Sequence, residues 1–140
     1  MGKLDLTVGA CISFNNKILL LRHTKLNKWL FPGGHVDANE TPDQAVLREV
    51  KEECGLDFKF SQYSTINDTE LRHAVPFHAN VHNVGDHDHY CAYYLGTVDD
   101  PEVTKNKEST DLKWFTLDEV KALDNVPETV RNMAVYALGL

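Results

Sequence analysis

Residues 33–57 read GGHVDANETPDQAVLREVKEECGLD, and this stretch decides how the rest of the chain is read. Thr41 offers a side-chain oxygen just ahead of Pro42, and Gln44 stands three residues on. Together they spell a helix start: an N-cap, a first-turn proline and a reciprocal capping box. Gly55 follows Cys54 as the expected C-terminal cap. On a wheel of about 100° per residue, Val46, Val50 and Cys54 form one stripe with Leu47 beside it, the expected core-facing side. Glu49, Glu52 and Glu53 share the adjoining face, with Ala45 leaving room in front of them. Ahead of the helix, Lys28 to Gly34 reads as a short strand running into a Gly-Gly loop, where φ > 0 and close backbone approach are allowed.

Three glutamates at these spacings are mutually unfavourable. Like charges three and four residues apart cost a helix about 0.2–0.5 kcal/mol per pair, and acids in the second half of a helix oppose its dipole. Arg48 can pair with Glu52 at i,i+4 and relieve part of this. A bound cation relieves more, and clustered oxygen ligands suit Mg²⁺, with Mn²⁺ as its substitute. The competing reading of the glutamates alone is a solvated acidic helix face.

Outward from this helix, Leu4 to Phe14 reads as a strand, Asn15-Asn16 as a turn, and Lys17 to His23 as a buried strand. Phe58–Ile66, His89–Val98 and Leu112–Phe115 read as further strands; residues 67–88 and 99–111 are polar and read as loops. Thr116 and Glu119 spell a second capping box, opening a helix to about Leu123, and Pro127 begins a last helix to about Leu138. Strands interleaved with three helices in residues 1–140 predict one α/β domain with a mixed sheet.

Composition excludes other classes. The 140 residues carry a formal charge of −7, which repels a nucleic-acid backbone, and no basic cluster offsets it. No stretch approaches the ~20 apolar residues of a membrane span, and Asp5 interrupts any signal-peptide core. Cys11, Cys54 and Cys91 are odd in number and lack C-x-x-C spacing, as expected for reduced, buried thiols of a cytoplasmic protein. The acidity is localised: residues 37–57 hold seven acids against Arg48 and Lys51, a net of −5, while the remainder nets −2.

The spacing Gly34, Glu40, Arg48-Glu49-Val50, Glu52-Glu53, Gly55-Leu56 resembles a complete Nudix box, G-x5-E-x7-R-E-U-x-E-E-x-G-U with U bulky and apolar. The preceding WLFPGG and the later Asp111–Val120 also resemble that family's flanks. The resemblance implies an α/β/α sandwich and Mg²⁺-dependent hydrolysis of the diphosphate in a nucleoside diphosphate linked to another moiety. Candidate substrates are NDP-sugars or ADP-ribose, (d)NTPs and dinucleoside polyphosphates. Carried over by position, Glu49, Glu52 and Glu53 hold the metal and Arg48 orients a glutamate. Glu40 braces the loop, and Gly33 and Gly34 lie beside the phosphates. The general base is a glutamate of the box or a loop acid, for which Glu108 is the candidate.

Arg22 is a candidate phosphate contact, and Trp29 and Tyr93 are candidate stacking or core residues. His87-x-His89 on an extended segment projects both imidazoles to one side. This is similar to an H-x-H-x-D pattern in some members, but Cys91 stands at the aspartate position. His89 is therefore a substrate contact, a second-metal ligand or a surface histidine. A nucleotide-sensing domain without turnover is the rival function, and a homodimer is the assembly many family members resemble.

Overall fold

The computed structural model describes residues 3–64, 74–104 and 109–140. Strands β1 (Lys3–Phe14) and β2 (Lys17–His23) form a hairpin, closed by Asn15 at φ 47° and Asn16 at φ 62°. Two consecutive left-handed residues make the turn whose twist matches a two-residue hairpin, and asparagine tolerates that conformation. After β3 (Lys28–Leu30) and β4 (Gly33–His35) comes α1 (Pro42–Cys54). Then follow β5 (Lys59–Phe60), β6 (His78–Asn83), β7 (His87–Thr97), β8 (Ser109–Thr116), α2 (Leu117–Ala122) and α3 (Glu128–Leu138).

The strands make one mixed sheet in the order β3-β2-β1-β7-β5, with β4 added to β1, β6 to β7 and β8 to β2. Its spine is the parallel pair β1/β7, in register from Lys3 opposite His87 to Ser13 opposite Thr97. The other pairings are antiparallel. The strand period of two sorts β1 into two cores. Val8, Ala10 and Ile12 pack with Ala45, Val46, Val50 and Cys54 of α1. Cys11 and, from β2, Ile18 and Leu20 pack with Val120 of α2 and Val130, Met133 and Ala134 of α3. The result is the α/β/α sandwich that the sequence implies.

Several boundaries differ from expectation. Of the segment expected as a strand from Phe58 to Ile66, the described residues, which end at Ser64, are in a ladder at Lys59–Phe60 with a bridge from Tyr63 to Ala74, and 65–66 lie outside the described residues. β6 lies inside the stretch expected to be loop. Five of its six residues are exposed, Ala79 and Val81 among them, so no buried face marks it; backbone pairing to β7 makes it a strand. β8 begins at Ser109, within the second expected loop.

Candidate active site

Both capping boxes form as the sequence predicts. Gln44 N donates to Thr41 Oγ1 at 3.3 Å and Thr41 N donates to Gln44 Oε1 at 2.9 Å. At the other end Gly55 takes φ 71° and donates its amide to Lys51 O at 2.9 Å. The start of α1 is also tied to the chain ahead of β6, because Ala74 N donates to Asp43 Oδ2 at 2.6 Å.

The helix is rotated relative to the expected stripe. Leu47 is 43% exposed, whereas Ala45 is fully buried and belongs to the core with Val46, Val50 and Cys54. Ala45 thus fills space against the sheet and leaves no room before the glutamates. With Ala45 and Cys54 at the two edges of the inward arc, Glu53 falls near its middle and Glu49 between it and Ala45, on a wheel of about 100° per residue. The Glu49 side chain retains only 16% exposure, while Glu52, at the margin, keeps 58%.

Their partners follow from this placement. Glu53 Oε1 accepts from the Gly33 amide at 2.8 Å, joining α1 to β4. Arg48 Nη1 donates to Glu49 Oε1 at 3.0 Å and to Glu52 Oε2 at 3.2 Å. The rest of the guanidinium is held by Glu40, with Nε to Oε2 at 2.8 Å and Nη2 to Oε1 at 2.9 Å, and by the His35 carbonyl at 2.9 Å. Asp37 adds an ion pair at 3.5 Å. Glu40 in turn accepts from the Asp37 amide at 2.9 Å. The bidentate bond from Arg48, with the Asp37 amide second, lowers the Glu40 carboxyl from 4.5 to about 2.

Glu49 is pushed the other way. Burial raises its pKa, opposed by Arg48 and more weakly by Glu53, and Glu52 adds like-charge repulsion. A half-buried carboxylate with a like charge beside it is costly to ionise. A hard divalent cation suits this donor set, since it prefers grouped carboxylate oxygens and removes the repulsion. The donor types of Glu49, Glu52 and Glu53 therefore fit the metal that the sequence implies, while their three carboxylates are not drawn within 4.8 Å of one another as a set.

Gly33 and Gly34 correct another expectation. Both lie in β4, paired with Gly9 and Val8 of β1, and neither has positive φ. Their need is for space: a Cβ on Gly33 would run into the Val8 carbonyl oxygen, and one on Gly34 would stand 2.5 Å from Glu49 Oε1. Close approach is the property used, and left-handed conformation is not.

The remaining candidates fall elsewhere. Arg22, on β2 opposite Asp111 of β8, pairs with that carboxylate at 3.4 Å. Trp29 packs on the α3-side core, edge-on to Phe115 at 5.0 Å, and Tyr93 joins the same core and meets Phe31. The three cysteines are buried and free, and burial raises each thiol's pKa. Glu108 lies outside the described residues. His89 faces away from α1, among His35, His82 and His87. Burial lowers its pKa, and the neighbouring imidazoles add to this.

Sequence reasoning missed Asp37 as a partner of Arg48, and Asp5 and His35 as neighbours of His89. Asp37 could have been found from the acidic segment it opens. Asp5 could not, since its meeting with His89 depends on the parallel register of β1 and β7.

Fold and site together define a class: an α/β/α sandwich whose first long helix turns grouped, Arg-braced glutamates toward a Gly-Gly strand. The sequence matches the NUDIX domain over residues 3–134. The chain belongs to the NUDIX family. A NUDIX-family hydrolase from Clostridium perfringens superposes with a TM-score of 0.88 at 32% identity, covering 96% of each chain. The MutT protein of Methanosarcina mazei Go1 shares the fold, with a TM-score of 0.77 at 20% identity over 97% of this chain and 94% of that one. A curated relative, the 8-oxo-dGTP diphosphatase of Escherichia coli K12, is 43% identical over 60 residues, 40% of this chain and 46% of the relative. The RNA pyrophosphohydrolase of Baumannia cicadellinicola is 38% identical over 64 residues, 46% of this chain and 40% of the relative. Each of these two matches spans less than half of the relative's own length.

Proposed function

We propose that the chain is a divalent-metal-dependent hydrolase of the diphosphate linkage in small nucleotides. The observation that carries this reading is the convergence of two carboxylates of α1 on β4: Glu53 accepts from the Gly33 amide and the Glu49 carboxylate lies against Gly34. Glu49, Glu52 and Glu53 would hold Mg²⁺, or Mn²⁺ in its place. When bound, that cation screens the diphosphate and acidifies the attacking water.

The protein's own part is positioning, the main requirement of phosphoryl transfer. The Gly33 amide fixes Glu53, and Arg48 fixes Glu49 and Glu52 while Glu40 and the His35 carbonyl hold the guanidinium. The missing side chains at Gly33 and Gly34 let the β1 backbone and the Glu49 carboxylate close on β4. The proton of the attacking water passes to a carboxylate of this group or to Glu108, and Glu108→Gln separates the two: an essential base there stops turnover. The acidic chain favours a free nucleotide over a nucleic acid, and the buried free thiols suit a cytoplasmic setting.

Among (d)NTPs, NDP-sugars or ADP-ribose, and dinucleoside polyphosphates, the names of the two 8-oxo-dGTP diphosphatases among the curated relatives favour a nucleoside triphosphate. A product-resolved screen of these classes with Mg²⁺ or Mn²⁺ tests the reading. Cleavage at a phosphoanhydride, abolished by chelator, is the expected result. Binding without product from every class would instead make the domain a nucleotide sensor.

A further inference from the structure

β4, β1, β7 and β6 lie side by side, and their registers align one row of side chains on the sheet face opposite α1. His35 pairs with Thr7, Asp5 with His89, and His89 with His82. Paired residues share a face, as do residues two apart on a strand. Asp5, His35, His82, His87 and His89 therefore all project together. Gly34 and His35 are consecutive, so they point to opposite faces: Gly34 toward Glu49, and His35 toward Asp5.

We propose that Asp5, His35 and His89, joined by His87, form a site for a Zn²⁺-class divalent cation, separate from the glutamates of α1. Among the described residues, this trio is the set whose ligand atoms all lie within 4.8 Å of one another. Asp5 Oδ2 stands 3.3 Å from His35 Nε2 and 3.2 Å from His87 Nε2, and His87 Nε2 stands 3.1 Å from His89 Nε2. Two ligands each about 2.0–2.1 Å from a tetrahedral ion lie about 3.3–3.4 Å apart. Each of these spacings is close to that edge, and His87 joins from outside the trio, beyond 4.8 Å of at least one of its members.

The hydrogen-bond inventory points the same way. His87 Nδ1 lies 2.6 Å from Asp86 Oδ1, so this nitrogen carries the proton and donates it to the carboxylate. In the neutral ring, His87 Nε2 is then a bare lone pair facing the Asp5 carboxylate. Acceptor meets acceptor in that state, and a second ring proton or a metal cation between them resolves the conflict. A carboxylate on the outer nitrogen of a histidine is also the usual support of a metal ligand. Lys3 pairs with the other oxygen of Asp5, Oδ1, at 3.4 Å, which leaves Oδ2 to the histidines. Imidazoles with one carboxylate select Zn²⁺, Co²⁺ or Ni²⁺ over Mg²⁺, which prefers oxygen.

The test is a Co²⁺ titration of the untagged full chain with Mg²⁺ in excess, read by visible ligand-field absorption. One equivalent should bind with the intense bands of a low-coordinate site and be displaced by Zn²⁺. His35→Asn and His89→Asn should weaken binding at least about tenfold, and Asp86→Ala about 10–100-fold, the range for outer-shell partners. Glu53→Gln should leave the bands unchanged. The His35 and Asp86 side chains are 58% and 92% exposed, so their replacement does not threaten the fold if His89→Asn does. Absence of ligand-field bands in the wild type, equal binding by His35→Asn, or loss of the bands in Glu53→Gln would each overturn the proposal.

Discussion

The two faces of the sheet meet at Gly34-His35 and concentrate charge in opposite ways. On the α1 face, acidic groups come from one continuous segment and are braced by one arginine. On the other face, imidazoles and one aspartate come from four strands and are brought together by strand register alone. A site built along a helix is set by local spacing. A site built across strands depends on the whole topology. The first is expected to tolerate distant sheet mutations, and the second is not.

The contrast can be broken most forcefully at Arg48. Arg48→Met removes the partner of Glu40, Glu49 and Glu52 together. Because the site is only partly buried, the loss of stability should fall below the about 3–5 kcal/mol of a broken fully buried pair, near 2–3 kcal/mol by urea midpoint. A variant as stable as wild type would show the brace to be ornamental.

Next come the two glycines. Gly33→Ala meets backbone, so β4 must shift, at about 1–3 kcal/mol. Gly34→Ala meets the end of the Glu49 side chain, which can swing away. It should cost less stability but much of the turnover. Equal effects of the two on melting would contradict that distinction.

Mg²⁺ should raise the melting temperature of the wild type, since a ligand of the native state stabilises it, by about 2.7 kcal/mol at a hundred times its Kd. The rise should be absent in Glu53→Gln. The smallest effect concerns pH. Glu40 has a folded pKa below its unfolded value, so its contribution is complete above about 4.5 and fades as pH falls toward 2. Urea midpoints of wild type and Glu40→Gln should differ above that window and converge below it.

What was legible in the sequence follows the same division. The caps of α1 and α2 and the Asn15-Asn16 turn are local and appear where the residues place them. The glutamate spacing is likewise local. The rotation that buries Ala45 and exposes Leu47 is set by the sheet beneath α1, and a wheel cannot show it. β6 was illegible because its side chains are mostly polar and mostly exposed, so its backbone partner is what betrays it. Gly33 and Gly34 suggested a turn, yet their lack of Cβ serves packing between strand and helix. Asp5 attracted notice only as a charge in an apolar segment, because nothing near it in sequence reveals His89 as its neighbour.

The most direct test of the carboxylate face is the Mg²⁺-dependent release of product by Glu53→Gln against wild type, on whichever nucleotide the screen selects. The change removes one charge and keeps the shape of the side chain. Turnover should fall about 10²–10³-fold, the usual cost of deleting one preorganised electrostatic group, with the melting temperature in chelator close to that of the wild type. Near-normal turnover by a folded Glu53→Gln protein would contradict the assignment of these glutamates to the reaction.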